Sequence, residues 1–210
     1  MEGDAAYVER VMCDIKQLVP SDKRTLIAIG GPPASGKSTL AAELHRLLNA
    51  NNRPCGLIPM DGFHLDNNIL QDRGLLSRKG APETFDVVGF AKLIGALNSE
   101  KDISVPLFDR DRDCVVRDAS NITANQKHII IEGNYLFLND GLWRDLHSYW
   151  TLSVFIAPPI KELEARLIRR WVDQGLDKEA AETRAKTNDI PNANLILSQS
   201  NMHLIDVLLD

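Results

Sequence analysis

Residues 25–39 read TLIAIGGPPASGKST. Thr25–Ile29 is a short apolar run with β-branched residues, which predicts a buried strand. It leads into Gly31-Pro32-Pro33-Ala34-Ser35-Gly36-Lys37-Ser38-Thr39, which contains a full match to G-x-x-x-x-G-K-[ST]. Leu40, Leu44, Leu47 and Leu48 then recur at helical spacing, so a helix begins where the loop ends. Strand, glycine loop and helix in that order are what a phosphate cradle requires. Glycines let the loop turn its N–H groups inward, and the new helix adds the positive end of its dipole. Gly31 to Thr39 are therefore expected to bind the phosphates of ATP. Lys37 is expected to reach the β- and γ-phosphates as a catalytic cation, and the Ser38 hydroxyl to ligate Mg²⁺.

A chain of 210 residues with 44% hydrophobic and 25% charged residues fits one compact domain, 1–210. Its net charge of -5 argues against nucleic acid as a partner, because such binders carry a basic face. Cys13, Cys55 and Cys114 are odd in number and far apart, which reads as reduced thiols in a cytoplasmic protein. No apolar run nears the length of a membrane span and no signal-peptide core opens the chain, so no membrane insertion is expected. Association as a homodimer is left open.

Residues 4–19 carry an apolar stripe (Tyr7, Val8, Val11, Met12, Ile15, Leu18, Val19) and predict an amphipathic helix ended by Pro20. After the loop's helix, Gly56–Met60 reads as a second buried strand, followed by Asp61-Gly62-Phe63-His64. Residues 65–86 are charged and irregular, and a long loop of this kind in a compact domain points to function. A helix over 88–98 follows, then two short strands, Ser104–Phe108 and Cys114–Val116, around the charged Asp109–Asp113. Residues 62–118 are thus the expected acceptor-binding region. His128–Ile131 and Trp150–Ile156 read as further sheet strands, with a short helix near 142–147 between them. Residues 160–173 form a strong helix, another runs from 177 to about 187, Asn188–Asn194 reads as a polar loop, and His203–Leu208 as a last strand. Strands alternating with helices predict an α/β fold with a mostly parallel sheet.

In such sheets ligands collect beyond the carboxyl ends of the strands. Asp61 follows one strand and Glu132 another, so both are expected to face the phosphates held by the loop. One carboxylate can accept the proton of an attacking hydroxyl while the other holds Mg²⁺. Asp86-Val-Val-Gly89 imitates a segment of GTPase switches, yet it precedes a helix, and no N-K-x-D motif exists.

The run MDGFHLDN, with Arg73-Gly74, RKGAPETFD at 78–86 and Ile131-Glu132-Gly133, resembles P-loop small-molecule kinases of the phosphoribulokinase, uridine kinase and pantothenate kinase group. Within that group it is most similar to bacterial fructose-transport-system kinases. The resemblance extends from Thr25 through nearly the whole chain. It implies a three-layer P-loop fold with the loop's strand central in a five-stranded parallel sheet, Asp61 as base, Glu132 on the metal side, and a small hydroxyl compound as substrate. True pantothenate enzymes are longer, which sets that substrate behind a sugar.

Arg166, Arg169 and Arg170 share one helix face. Arg166-Leu-Ile-Arg-Arg170 resembles the R-x-x-R-R lid of uridine-type kinases. The resemblance implies a lid over 160–187 that brings Arg166 and Arg170, ahead of Arg169 and Arg184, to the charge developing in transfer. Arg73, Arg78, Lys79, His64 and Arg112 surround the expected acceptor pocket, with His64, Arg78 and Arg112 singled out as contacts, and Asn188–Asn194 is expected to contact the adenine. The leading expectation is an ATP-dependent kinase acting on a sugar such as fructose. A nucleoside or pantothenate-type acceptor comes second. An ATP-binding regulator of a sugar transporter, without turnover, is the rival of another class.

Overall fold

The computed structural model describes residues 2–19 and 21–210. In chain order it contains helix α1 (Glu2–Gln17), strand β1 (Thr25–Gly30), α2 (Lys37–Ala50), β2 (Cys55–Pro59), α3 (Asn67–Asp72) and α4 (Val87–Ala96). Strands β3 (Ile103–Asp109), β4 (Cys114–Ile122) and β5 (His128–Gly133) follow, then α5 (Gly141–Asp145) and β6 (Leu152–Ile156). Helices α6 (Ile160–Asp173), α7 (Lys178–Arg184) and α8 (Ile190–Gln199) lead to β7 (Val207–Leu209). Pro20, the expected terminator of α1, lies outside the described residues.

Five strands form one sheet in the order β2-β5-β1-β6-β7, and every pairing within it is parallel. The strand before the glycine loop, β1, is central. Its neighbours β5 and β6 are buried almost throughout and mostly apolar, because helices cover both faces of a parallel sheet. Alternate residues of β1 go to opposite faces: Leu26 and Ala28 join one core with Ile58, Phe90, Ile94, Ile131 and Tyr135. Ile27 and Ile29 join the other core, with Val11 and Ile15 of α1 and Leu40, Leu44 and Leu48 of α2.

Register decides where the functional ends fall. Gly30 pairs with Gly133, and Glu132 pairs with both Ile29 and Pro59. The glycine loop, Glu132 and the segment opening at Met60 therefore leave the sheet at one level of the same edge.

Strands β3 and β4 form a separate antiparallel hairpin, as the sequence suggested, with β4 continuing to Ile122. A bulge falls between Val105 and Leu107, around Pro106, whose missing N–H cannot join the ladder. The expected polar loop at Asn188–Asn194 is instead helical. A π-turn spans Ala185–Asp189, and α8 begins directly at Ile190 with Pro191 in its first turn. Proline is well placed there, since first-turn N–H groups have no partner within the helix. The polar composition reflects two buried asparagines, Asn188 and Asn192, rather than a solvated loop. Among the described residues, no helix is long and apolar enough to cross a membrane.

Candidate active site

The glycine loop holds its curl through positive φ at Gly31 (148°), Ala34 (64°) and Gly36 (99°). A Cβ on Gly31 would stand 2.4 Å from the Ile156 carbonyl oxygen, so this turn requires glycine. The loop ends on the first turn of α2, where Lys37 is buried and its Nζ lies 3.5 Å from the Pro32 carbonyl oxygen. Burial lowers the Lys37 pKa, opposed by the charges of Glu132 and Asp61. The Ser38 hydroxyl donates to a Glu132 carboxylate oxygen at 3.1 Å. Burial raises the Glu132 pKa, with Lys37 opposing.

A hydroxyl and a carboxylate in contact at the mouth of a phosphate-binding loop are hard oxygen donors of the kind Mg²⁺ takes. Among the described residues no group of three or more His, Cys, Asp or Glu converges as a complete metal site. The pair fits an ion that also takes oxygens from phosphate and water, the usual mode for Mg²⁺ in kinases.

Asp61 sits on a single 3₁₀ turn, Met60–Phe63, directly after β2. Gly62 makes that position possible: a Cβ there would lie 2.1 Å from the Pro106 carbonyl oxygen, so the hairpin packs onto the turn only because no side chain intervenes. The Asp61 carboxylate accepts from Arg110 Nη2 at 2.8 Å, and its other oxygen lies 4.0 Å from His64 Nε2. His64 stacks on Phe85 with ring centroids 4.1 Å apart and meets Phe108 edge-on at 4.9 Å. Burial lowers the His64 pKa to about 4, partly offset by Asp61, which leaves the imidazole neutral.

These residues line one cleft of about 830 Å³, together with Pro33, Ala34, Gly36, Lys37, Ser38, Thr39, Glu132, Arg170 and Trp171. Arg170 is drawn in from α6, and burial lowers its pKa, with the positive charge of Arg110 adding to the effect. Arg166 takes a different place. Its Nη1 donates to the Ala34 and Ser35 carbonyl oxygens at 3.2 and 3.3 Å while its Nη2 binds Glu162, so it grips the outside of the glycine loop. Arg169 is exposed and faces Asp173 at 3.8 Å. Arg184 does reach the cleft, over the Trp171 ring at 5.2 Å, and the Trp171 indole N–H donates to Asp189 at 2.6 Å.

Two expected acceptor contacts are corrected. Arg112 is not among the lining residues, and Arg110 is. The reason is local: the Asp109 carboxylate accepts the N–H groups of both Asp111 and Arg112, closing a turn that presents Arg110 to Asp61. Arg78 also stays outside the cleft, near Asn188 at 3.4 Å and Glu83 at 3.8 Å, where it braces the loop. Lys79 takes the cleft position. Asn134 and Trp171, which also line the cleft, had only weak signals in the sequence: Asn134 follows Glu132-Gly133, and Trp171 follows the arginine pair. Of the expected adenine segment, Asp189 and Asn192 line the cleft, whereas Asn188 supports it by donating to the Lys79 carbonyl oxygen at 2.9 Å.

Residues 26–199 match the model of the Phosphoribulokinase / Uridine kinase family, and the chain belongs to that family. It is therefore a P-loop kinase, a phosphotransferase of a family that uses ATP. Among its relatives, the uncharacterized Escherichia coli (strain K12) protein YggC is 38% identical over 188 residues, covering 88% of this chain and 77% of its own. A Schizosaccharomyces pombe (strain 972) protein provisionally named uridine kinase C227.14 is 32% identical over 206 residues, covering 92% of this chain and 86% of its own. The solved structure of a Silicibacter sp. TM1040 protein, provisionally described as a fructose transport system kinase, superposes with a TM-score of 0.91 at 42% identity, over 97% of this chain and 98% of that one.

Proposed function

We propose that this kinase transfers the γ-phosphoryl group of ATP to a hydroxyl of a small metabolite, with a sugar such as fructose as the leading acceptor. One observation carries the reading: Asp61, Lys37, Glu132 and Arg170 line a single cleft beside the glycine loop. The acceptor oxygen attacks the γ-phosphorus, the bond to the β-phosphate oxygen breaks, and ADP leaves. Asp61 takes the hydroxyl proton, as a strand-end carboxylate within the cleft can do. Lys37 and Arg170, both desolvated by burial, offset the negative charge on the transferring group. Arg166 acts one step away, by holding the loop that carries the phosphates. Ser38 and Glu132 are the residues that would hold Mg²⁺, whose chemistry here is to neutralise phosphate charge.

The sugar acceptor is supported by the provisional description of the 42% identical Silicibacter protein. A nucleoside acceptor is the second reading, favoured by the provisional name of the fission-yeast relative. Such a phosphotransferase would work in the cytoplasm on a small molecule, without nucleic acid as partner. A regulator without turnover would have little use for a carboxylate at Asp61.

ADP release measured against a panel of sugars, nucleosides, pantothenate and glycerate tests the proposal. Release that depends on adding one of these acceptors is expected. ATP binding without release for every member of the panel would refute transfer and favour the regulatory reading.

A further inference from the structure

The lining residues drawn from 61–113 form one half of the cleft, and they carry more negative charge than positive. Two cations, Lys79 and Arg110, stand among three carboxylates, Asp61, Asp111 and Asp113. Lys79 is nearly buried and fully engaged. Its Nζ donates to Asn67 Oδ1 at 2.6 Å and to Asp113 Oδ1 at 2.8 Å, and lies 4.9 Å from the Phe108 ring centroid. Arg110 binds the Asp61 carboxylate through Nη2, on a side chain that is about half exposed. His64, which could supply a third cation, is neutral over the physiological range. The remaining surfaces are the aromatic rings of Phe85 and Phe108.

From the Lys79–Asp113 clasp and the negative balance of this half-cleft we infer that the acceptor is an uncharged polyhydroxy compound, and that the clasp sets this specificity by withholding a cation from acidic or phosphorylated competitors. The inference rests on the reading of this cleft as the acceptor site. An acceptor carrying a carboxylate or phosphate would need a counter-charge. To obtain it, the acceptor must displace Asp113 from Lys79, or share the Arg110 guanidinium with the proposed base. The first leaves Asp113 without its cation and the second weakens the hold on Asp61, both in a half-cleft that is net negative. An uncharged sugar or polyol meets neither cost. Its C–H faces suit the aromatic rings, and its hydroxyls suit the surrounding polar groups. The clasp also has a fixed geometry: Asp113 holds φ of 50° at the hairpin tip and accepts from Asn67 as well as Lys79, so hairpin and loop are tied across the cleft.

Matched pairs differing only in charge provide the test: fructose with fructose 6-phosphate, glycerol with glycerate, and panthenol with pantothenate. Binding of each is measured by calorimetry on the full chain loaded with a non-hydrolysable ATP analogue, and the tightest-binding pair decides. The uncharged member is expected to bind about tenfold more tightly or better, and Asp113→Asn to move that ratio about tenfold toward the charged member by freeing Lys79. Equal or tighter binding of the charged member by the unmodified protein overturns the inference. So does a lack of binding by all uncharged members, or an unchanged ratio in Asp113→Asn. ADP release is read separately: the expected preference without release would refute transfer and leave the inference standing.

Discussion

Burial between Phe85 and Phe108 holds the His64 imidazole at about 4, well below its ordinary 6.5, and this has a consequence for stability. A pKa depressed on folding means that the unfolded chain takes up the proton first as pH falls. The His64 contribution is present above 6.5 and is lost progressively down to about 4. Between pH 7 and pH 5 the loss is about 2 kcal/mol. His64→Gln is expected to flatten that part of the curve by this amount, as measured by denaturant unfolding at the two pH values. A slope identical to the parent's would show that His64 titrates normally. At the same scale the sequence was only partly legible. Asp61, Glu132, Lys37 and Ser38 stood out because strand ends and the loop motif place them. Arg110 did not, because Asp109–Asp113 alternates charge at every position, and only the turn closed by the Asp109 carboxylate selects which arginine faces Asp61.

Among the elements, the three consecutive helices α6, α7 and α8 form the side of the cleft opposite the hairpin. They are knitted together around Trp171. Arg170 and Arg184 lie 5.8 and 5.2 Å from its ring, and Asp189 of the π-turn accepts its N–H. Loss of that N–H leaves a half-buried carboxylate, whose pKa burial already raises, without its main hydrogen bond. Trp171→Phe is expected to raise KM for ATP about tenfold with kcat within about threefold of the parent, in steady-state kinetics. A fall in kcat at unchanged KM would place Trp171 in the transfer step instead. Helix α6 was plain in the sequence, from Ile160 to Asp173, because its apolar positions recur at helical spacing. The π-turn and the start of α8 were hidden: their polar residues are buried by contacts with the 76–80 loop, which a local reading cannot see.

Across the whole molecule, chemistry lies at one end of the sheet and a structural clamp at the other. Arg24, just before β1, is buried and donates to the carbonyl oxygens of Leu97, Glu100, Lys101, Thr123 and Gln126, at distances from 2.6 to 3.2 Å. One guanidinium thus satisfies two loops, one after α4 and one before β5. Removing it strands these acceptors, so Arg24→Met is expected to cost about 3 kcal/mol in denaturant unfolding while kcat of the folded protein stays within about twofold. A cost below about 0.5 kcal/mol would mean that solvent replaces the clamp. Nothing local in the sequence signals the role of Arg24, since its partners lie 73 or more residues away. The parallel sheet was legible because buried strands are uninterrupted apolar runs. Its strand order came from resemblance, since apolar runs do not encode register or neighbours.

The assignment of Asp61 as the group that receives the acceptor's proton is tested most directly by single-turnover phosphoryl transfer from γ-labelled ATP, comparing the parent chain with Asp61→Asn under saturating acceptor. The transfer rate is expected to fall about a thousandfold while ATP affinity stays within about threefold, because the variant keeps the loop, Lys37 and the Ser38–Glu132 pair. Transfer by Asp61→Asn within tenfold of the parent rate would contradict the assignment.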